Sequence, residues 1–155
     1  MTAEVAAEAL LEGGARILQF RHKSDFTREI FSQAGRVSEL CHRAGALFVM
    51  NDRVDMALLL GSAIHLGQQD LPPGLARKLA GATRIIGYST HNERQLRESA
   101  HEPVDYVAPG PLFATGNKQN PDPVVGLEEF RRLRRLTQRP LAAIGGITRQ
   151  RAAEA

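Results

Sequence analysis

Two aspartates, two lysines and a pair of adjacent glycines carry the clearest chemistry in the sequence. Asp52 and Asp70 each stand shortly after a brief apolar run, Leu47-Phe48-Val49-Met50 and Ala63-Ile64-His65-Leu66. If those runs are neighbouring parallel strands, about 4.8 Å apart, the two carboxylates can share one cation. Magnesium takes few carboxylates and completes its shell with phosphate oxygens and water. Lys23 and Lys118 supply the further positive charge that a phosphate ligand requires. Gly145-Gly146 follows another apolar run and lets backbone N–H groups approach a phosphate at a helix start. Together these residues describe a metal–phosphate site.

Each residue taken alone has a plainer reading. Asp52 next to Arg53 reads as a surface ion pair, and Lys23 as a solvated lysine. Gly145-Gly146 reads as a turn. Ser89, before Thr90-His91-Asn92, reads equally well as a helix cap. His65 belongs to a buried type of run and reads as a core histidine before it reads as a ligand. Their joint placement at strand ends is what favours the site.

The elements that must position them follow from hydrophobic spacing. Six short apolar runs recur: Arg16–Phe20, Leu47–Met50, Ala63–Leu66, Arg84–Tyr88, Asp105–Ala108 and Leu141–Ile144. Runs of four or five residues suit buried parallel strands. The intervening segments carry helical spacing, as in the stripe Leu127, Phe130, Leu133, Leu136. Strand–helix repetition predicts one parallel α/β domain over 1–155, as a barrel or an open sheet. In such folds the working residues lie beyond the carboxyl ends of the strands. Those positions hold Arg21, His22 and Lys23; then Asn51, Asp52 and Arg53; then Gly67, Gln68, Gln69 and Asp70; then Ser89. The loop from Gly110 to Lys118 and the Gly145-Gly146 turn complete the set. Six strands fall short of the eight in a closed (β/α)8 barrel. Thr2 is expected to cap a helix with no strand before it, and Thr148–Ala155 reads as the start of a helix. The chain is therefore expected to be cut short at both ends.

Composition sets outer bounds. Of 155 residues, 43% are hydrophobic and 24% charged, which is enough for one core. A net charge of +3 suits an anionic substrate. Aromatics make up only 5% and tryptophan is absent, which argues against base-stacking platforms for nucleic acid. Arg131, Arg132, Arg134 and Arg135 lie off the apolar stripe and read as a solvated helix face. The one cysteine, Cys41, excludes an internal disulfide and reads as a buried thiol. No apolar stretch approaches the roughly 18 residues of a membrane span, and the first residues lack signal-peptide features. A cytoplasmic location and no membrane partner are expected.

Six motifs, in order, resemble the thiamine-phosphate synthase family. They are Gln19-Phe20-Arg21-His22-Lys23, Asn51-Asp52-Arg53, His65-Leu66-Gly67-Gln68-Gln69-Asp70, Gly87-Tyr88-Ser89-Thr90-His91, Gly110-Pro111-Leu112-Phe113 with Thr115 and Lys118, and Ala143-Ile144-Gly145-Gly146-Ile147. The resemblance covers nearly the whole chain. It implies a (β/α)8 TIM-barrel type of α/β fold, here incomplete with about six of eight strands. It implies a transferase of thiamine biosynthesis that joins 4-amino-2-methyl-5-pyrimidinylmethyl pyrophosphate to a thiazole phosphate, releasing pyrophosphate through a pyrimidinylmethyl cation.

The resemblance also implies roles. Asp52 and Asp70 would bind Mg2+. Gln19, Phe20, Arg21, His22, Lys23, Asn51, Ser89 and Lys118 would hold the pyrimidine pyrophosphate, with Ser89, Lys23 and Lys118 acting on the leaving group. Thr115, Gly116, Asn117 and Gly146 would hold the thiazole phosphate. His22 stands where the family usually has glutamate, and Asn117 where threonine is commoner. The expected partners are small-molecule substrates, and a homo-oligomer is compatible with the pattern. Two alternatives remain: the related thiazole tautomerase, which needs no pyrophosphate grip, and a non-catalytic remnant that binds phosphate ligands. Lys23, Asp52, Asp70 and Lys118 together favour the synthase.

Overall fold

The computed structural model describes residues 2–116 and 122–154. In chain order its elements are α1 (Ala3–Glu12), β1 (Ile17–Phe20), α2 (Arg28–Arg43), β2 (Leu47–Asn51), α3 (Val54–Leu59), β3 (Ala63–Leu66), α4 (Pro73–Ala80), β4 (Ile86–Thr90), α5 (Glu93–Ser99), β5 (Tyr106–Pro109) and α6 (Leu127–Arg134). They fall into two compact units, Met1–His65 with Leu75–Ile85, and Leu66–Gly74 with Ile86–Ala155.

In the first unit the helices begin where the sequence offers a cap. Thr2 accepts the Val5 N–H ahead of α1, and Thr27 accepts the Ile30 N–H ahead of α2. Each satisfies one of the donors that a helix start leaves without an intrahelical partner. On α2 the spacing of Ala34, Val37 and Cys41 puts all three on one buried face. Burial raises the Cys41 thiol above its ordinary value, in keeping with an inert packing role. β1, β2 and β3 run parallel, with Phe20 paired to Met50 and Asn51 paired to His65 in register. β3 is buried along its whole length, the mark of a strand covered on both faces. His65 is 3% exposed, as its apolar run suggests.

In the second unit β4 and β5 are parallel, from Gly87 beside Tyr106 to Thr90 beside Pro109. Asn92 caps α5 by accepting the Gln95 N–H at 3.0 Å, so the cap lies three residues beyond Ser89. Leu133 is fully buried on α6, while Arg132 on its outer side is held by Glu129 and Glu93.

The sixth apolar run departs from expectation. Leu141–Ile144 forms a single parallel pairing, Val107 with Leu141, in place of a strand. Val107 N–H donates to Pro140 O and Ala142 N–H donates to Val107 O. The ladder then breaks, because the next donors on that edge of β5 would be Pro109 and Pro111, and neither has an N–H to give. Hydrogen bonding resumes only at Leu112 N–H to Ile144 O and Phe113 N–H to Gly145 O. The described residues therefore hold five strands and this one bridge. At the far end, Arg151 and Ala152 N–H groups both donate to Thr148 O, making a turn where a helix start was expected. No helix among the described residues is long and apolar enough to cross a membrane.

Candidate functional site

At the carboxyl end of β2 the chain makes an abrupt turn. Asp52 has φ of 64°, the only positive value among the described non-glycine residues. That region is costly for an L residue, though least so for Asp and Asn. Backbone bonds hold it there: Asp52 N–H donates to His65 O at 2.8 Å, and Arg53 N–H donates to Asn51 O at 2.7 Å. The turn sends the Asp52 carboxylate to the Lys23 ammonium, from the loop after β1, and the two form an ion pair. Lys23 is half exposed and Asp52 about one-fifth exposed. Arg53, the partner expected from sequence adjacency, instead grips Asp55 through two bonds of 2.9 and 2.5 Å. Those bonds hold the Asp55 carboxyl below its usual range. The Arg53 guanidinium also stacks 4.8 Å over the Phe26 ring, whose edge meets His22.

Beside this pair lies Asn51, only 7% exposed, with its side-chain Nδ2 buried and lacking a hydrogen-bond partner. A buried donor left unmade is costly, so the Asn51 amide calls for a partner oxygen. On β1, Gln19 and Phe20 point to opposite faces by strand alternation. The Phe20 ring packs on Phe48 with centroids 6.4 Å apart. Arg21 is exposed in the following loop.

The second unit carries the remaining positions. Asp70 folds its carboxylate back onto the start of its own loop, where Oδ2 accepts the Gly67 N–H at 2.6 Å. Gln68 Nε2 donates to Ser89 O at 2.6 Å, tying this loop to the end of β4. Sequence reasoning had not assigned Gln68 a role; its long amide next to a metal-type aspartate was the available signal. Thr90 was also missed. It is fully buried and its Oγ1 has no hydrogen-bond partner.

The loop after β5 and the Gly145-Gly146 turn meet backbone to backbone. Gly146 has φ of 67°, and a Cβ there would lie 2.5 Å from Ala114 O. Only glycine fits such an approach. Thr115 and Gly116 follow Ala114 directly, so Gly146 and Thr115 belong to one corner of the unit. Asn117 and Lys118 lie outside the described residues.

Chemically, the first unit presents a paired carboxylate and ammonium beside a buried amide donor. The second presents a half-buried carboxylate, the Ser89 hydroxyl and a glycine-lined corner. Asp52 and Asp70 are both half-buried hard-oxygen donors, the type magnesium accepts alongside phosphate oxygens. Each carboxylate is by its chemistry a fit ligand for that ion.

A family model described as thiamine monophosphate synthase matches residues 2–155. The chain is 46% identical over 145 residues to a thiamine-phosphate synthase of Koribacter versatilis (strain Ellin345), covering 93% of this chain and 68% of the relative. It is 42% identical over 142 residues to one of Synechococcus sp. (strain CC9605), covering 91% of this chain and 40% of the relative. A solved structure, thiamine phosphate pyrophosphorylase from Pyrococcus furiosus, superposes with a TM-score of 0.89 at 33% identity, covering 98% of this chain and 73% of that one.

Proposed function

The chain belongs to the thiamine monophosphate synthase family, α/β transferases of the TIM-barrel type that condense a pyrimidine pyrophosphate with a thiazole phosphate, and we propose that its own strand-end residues perform that reaction by stabilising pyrophosphate as it departs. The chain spans 68% of one relative and 40% of another, so the activity of 155 residues by themselves is part of the proposal.

The bond between the pyrimidine methylene carbon and the pyrophosphate oxygen breaks, and its electron pair leaves with pyrophosphate. The thiazole nitrogen lone pair then closes on the pyrimidinylmethyl cation. No proton has to move, so the site needs charge stabilisation and not a general base. Lys23 and Arg21 donate to the pyrophosphate oxygens as their charge grows. The Ser89 hydroxyl and Lys118 do the same from the β4 and β5 loops. Asn51 offers its buried amide to the pyrimidine pyrophosphate, and Gln19, Phe20 and His22 line the same substrate. Thr115, Gly116, Asn117 and Gly146 hold the thiazole phosphate. Asp52 and Asp70 would hold Mg2+, which when bound supplies Lewis-acid neutralisation of the leaving group.

The observation that carries this reading is the cluster at the end of β2: a strained Asp52, the Lys23 ammonium on it, and the unpartnered Asn51 amide beside them. Two costly arrangements in the adjacent residues Asn51 and Asp52, with an ammonium held against them, suit a site built for a ligand.

The test is formation of thiamine phosphate and pyrophosphate by the purified chain with Mg2+ and both substrates. Lys23→Ala and Lys118→Ala should each slow single-turnover pyrophosphate departure more than they weaken thiazole phosphate binding, because both lysines act on charge that grows in the transition state. Single-turnover rates equal to the unmutated chain would refute their assignment. Binding of both ligands without any product would reduce the chain to a phosphate-binding protein.

A further inference from the structure

His91 has no part in the reading above, yet it joins separate segments of the second unit. Its side chain is 16% exposed. Nδ1 lies 2.6 Å from the Gly110 carbonyl oxygen. A carbonyl only accepts, so Nδ1 carries the proton of that bond. On the opposite side of the ring, Nε2 lies 3.4 Å from Asp122 Oδ2, a contact that pairs them when the ring carries a second proton. The His91 backbone is itself fixed, since its N–H donates to Gln95 Oε1 at 2.8 Å.

The two contacts bracket one loop. Gly110 is the first residue after β5 on the way to Thr115 and Gly116, and Asp122 lies on the chain's return towards α6. Gly110 also donates its N–H to Thr90 O at 3.0 Å. The departure of this loop is thus bonded to two consecutive residues, Thr90 and His91, immediately after Ser89. By the reading above, Ser89 touches the pyrophosphate and Thr115 the thiazole phosphate.

We propose that His91 is a positioning residue that sets the thiazole-phosphate corner, Thr115 and Gly116, at a fixed place relative to Ser89. The inference rests on the proposed function for the identity of the ligand, but not for the clasp itself. His91 touches neither reacting group; it acts through the Gly110 carbonyl and the Asp122 carboxylate. Its loss therefore frees the loop and weakens capture of the thiazole phosphate, while the pyrophosphate grip from Lys23 and Asn51 is untouched.

Three variants separate the contacts. His91→Asn keeps a donor close to the Nδ1 position, His91→Gln keeps one close to Nε2, and His91→Ala keeps neither. Amide hydrogen exchange at Leu112 and Phe113 reports the loop, and calorimetry reports Kd for the thiazole phosphate and for magnesium pyrophosphate. In His91→Ala, exchange at both amides should speed up and the thiazole phosphate Kd should rise about tenfold, the loss of one or two net hydrogen bonds. The magnesium pyrophosphate Kd should rise by clearly less, since Lys23, Arg21 and Asn51 lie off this loop and only Lys118 of its assigned partners lies on it. His91→Asn should restore most of the thiazole phosphate affinity, which a merely structural role would not predict. Unchanged exchange in His91→Ala overturns the clasp. Faster exchange with unaltered thiazole phosphate affinity, or an equal rise in both Kd values, overturns the positioning role. An unmutated chain that protects Leu112 and Phe113 but binds neither ligand overturns the proposed function while leaving the clasp standing.

Discussion

The ring of Tyr106 occupies the space in which a side chain at Gly87 would stand. A Cβ on Gly87 would fall well inside the van der Waals surface of the Tyr106 Cζ, Cε1 and hydroxyl atoms. The two residues are register partners on β4 and β5, so their side chains share one face of the pairing. Gly87 is the floor on which the tyrosine lies.

Gly87→Ala should therefore destabilise the chain by about 1–3 kcal/mol, the usual cost of overpacking a closed site. The backbone would tolerate alanine, so the effect comes from the ring. Denaturant unfolding checks this. In Tyr106→Ala the same glycine substitution should cost little, and an undiminished cost there would show that the ring is not the cause.

Alkaline titration should expose the same residue. Burial pushes the Tyr106 hydroxyl up to about 12, from an ordinary value of 10.0. A folded value above the unfolded one means that this contribution to stability is fully present below about pH 10 and is lost as pH rises towards 12. The loss amounts to at most roughly 2–3 kcal/mol for a shift of this size. Unfolding midpoints should fall across that window, and Tyr106→Phe should flatten the fall. Phenolate absorbance should show Tyr106 titrating late. Tyr88 is also raised, by burial first and then by Glu102 and Glu98, so Tyr88→Phe is the control.

The carboxylate assignment predicts a binding defect without a folding defect. Asp52→Asn and Asp70→Asn should each weaken magnesium-dependent pyrophosphate binding by about tenfold or more, since a hard-cation site with few protein ligands loses one. Calorimetry with and without magnesium measures it. Affinities unchanged in both variants would mean that the carboxylates serve structure alone, Asp52 by pairing with Lys23 and Asp70 by bonding Gly67.

Gly146→Ala should damage the thiazole phosphate corner selectively. The new methyl meets Ala114 O at 2.5 Å and Phe113 O at 2.7 Å, and the φ of 67° is unfavourable for alanine. The loop carrying Thr115 must retreat, so thiazole phosphate affinity should fall by about tenfold or more, while magnesium pyrophosphate, which has only Lys118 on that loop, should lose less. Equal losses of both would point to general unfolding of the second unit.

Much of this was legible in the sequence because parallel strands and their helices announce themselves locally. A fully buried strand such as Ala63–Leu66 is apolar at every position, and a cap such as Thr2 or Thr27 satisfies a donor within its own turn. Those properties depend on residues a few positions apart, so the chain order of the first five strands could be read directly. The ordered motifs carried the family and its transferase chemistry for the same reason.

What only the tertiary structure decided were relations between segments far apart in sequence. Adjacency suggested Arg53 as the partner of Asp52, but the left-handed turn at Asp52 delivers its carboxylate to Lys23, 29 residues earlier. Leu141–Ile144 has a strand's composition, yet Pro109 and Pro111, the residues that face it, have no N–H to build a ladder. Gly145-Gly146 read as a phosphate turn, and the fold makes it the place where two backbones approach too closely for any side chain. His91 stood in a motif without a role, because its meaning lies in Gly110 and Asp122. Local pattern determines which elements form, since it is set by short-range bonds and periodic burial. Pairing between loops depends on where those elements bring them, and that is fixed only when the chain has folded.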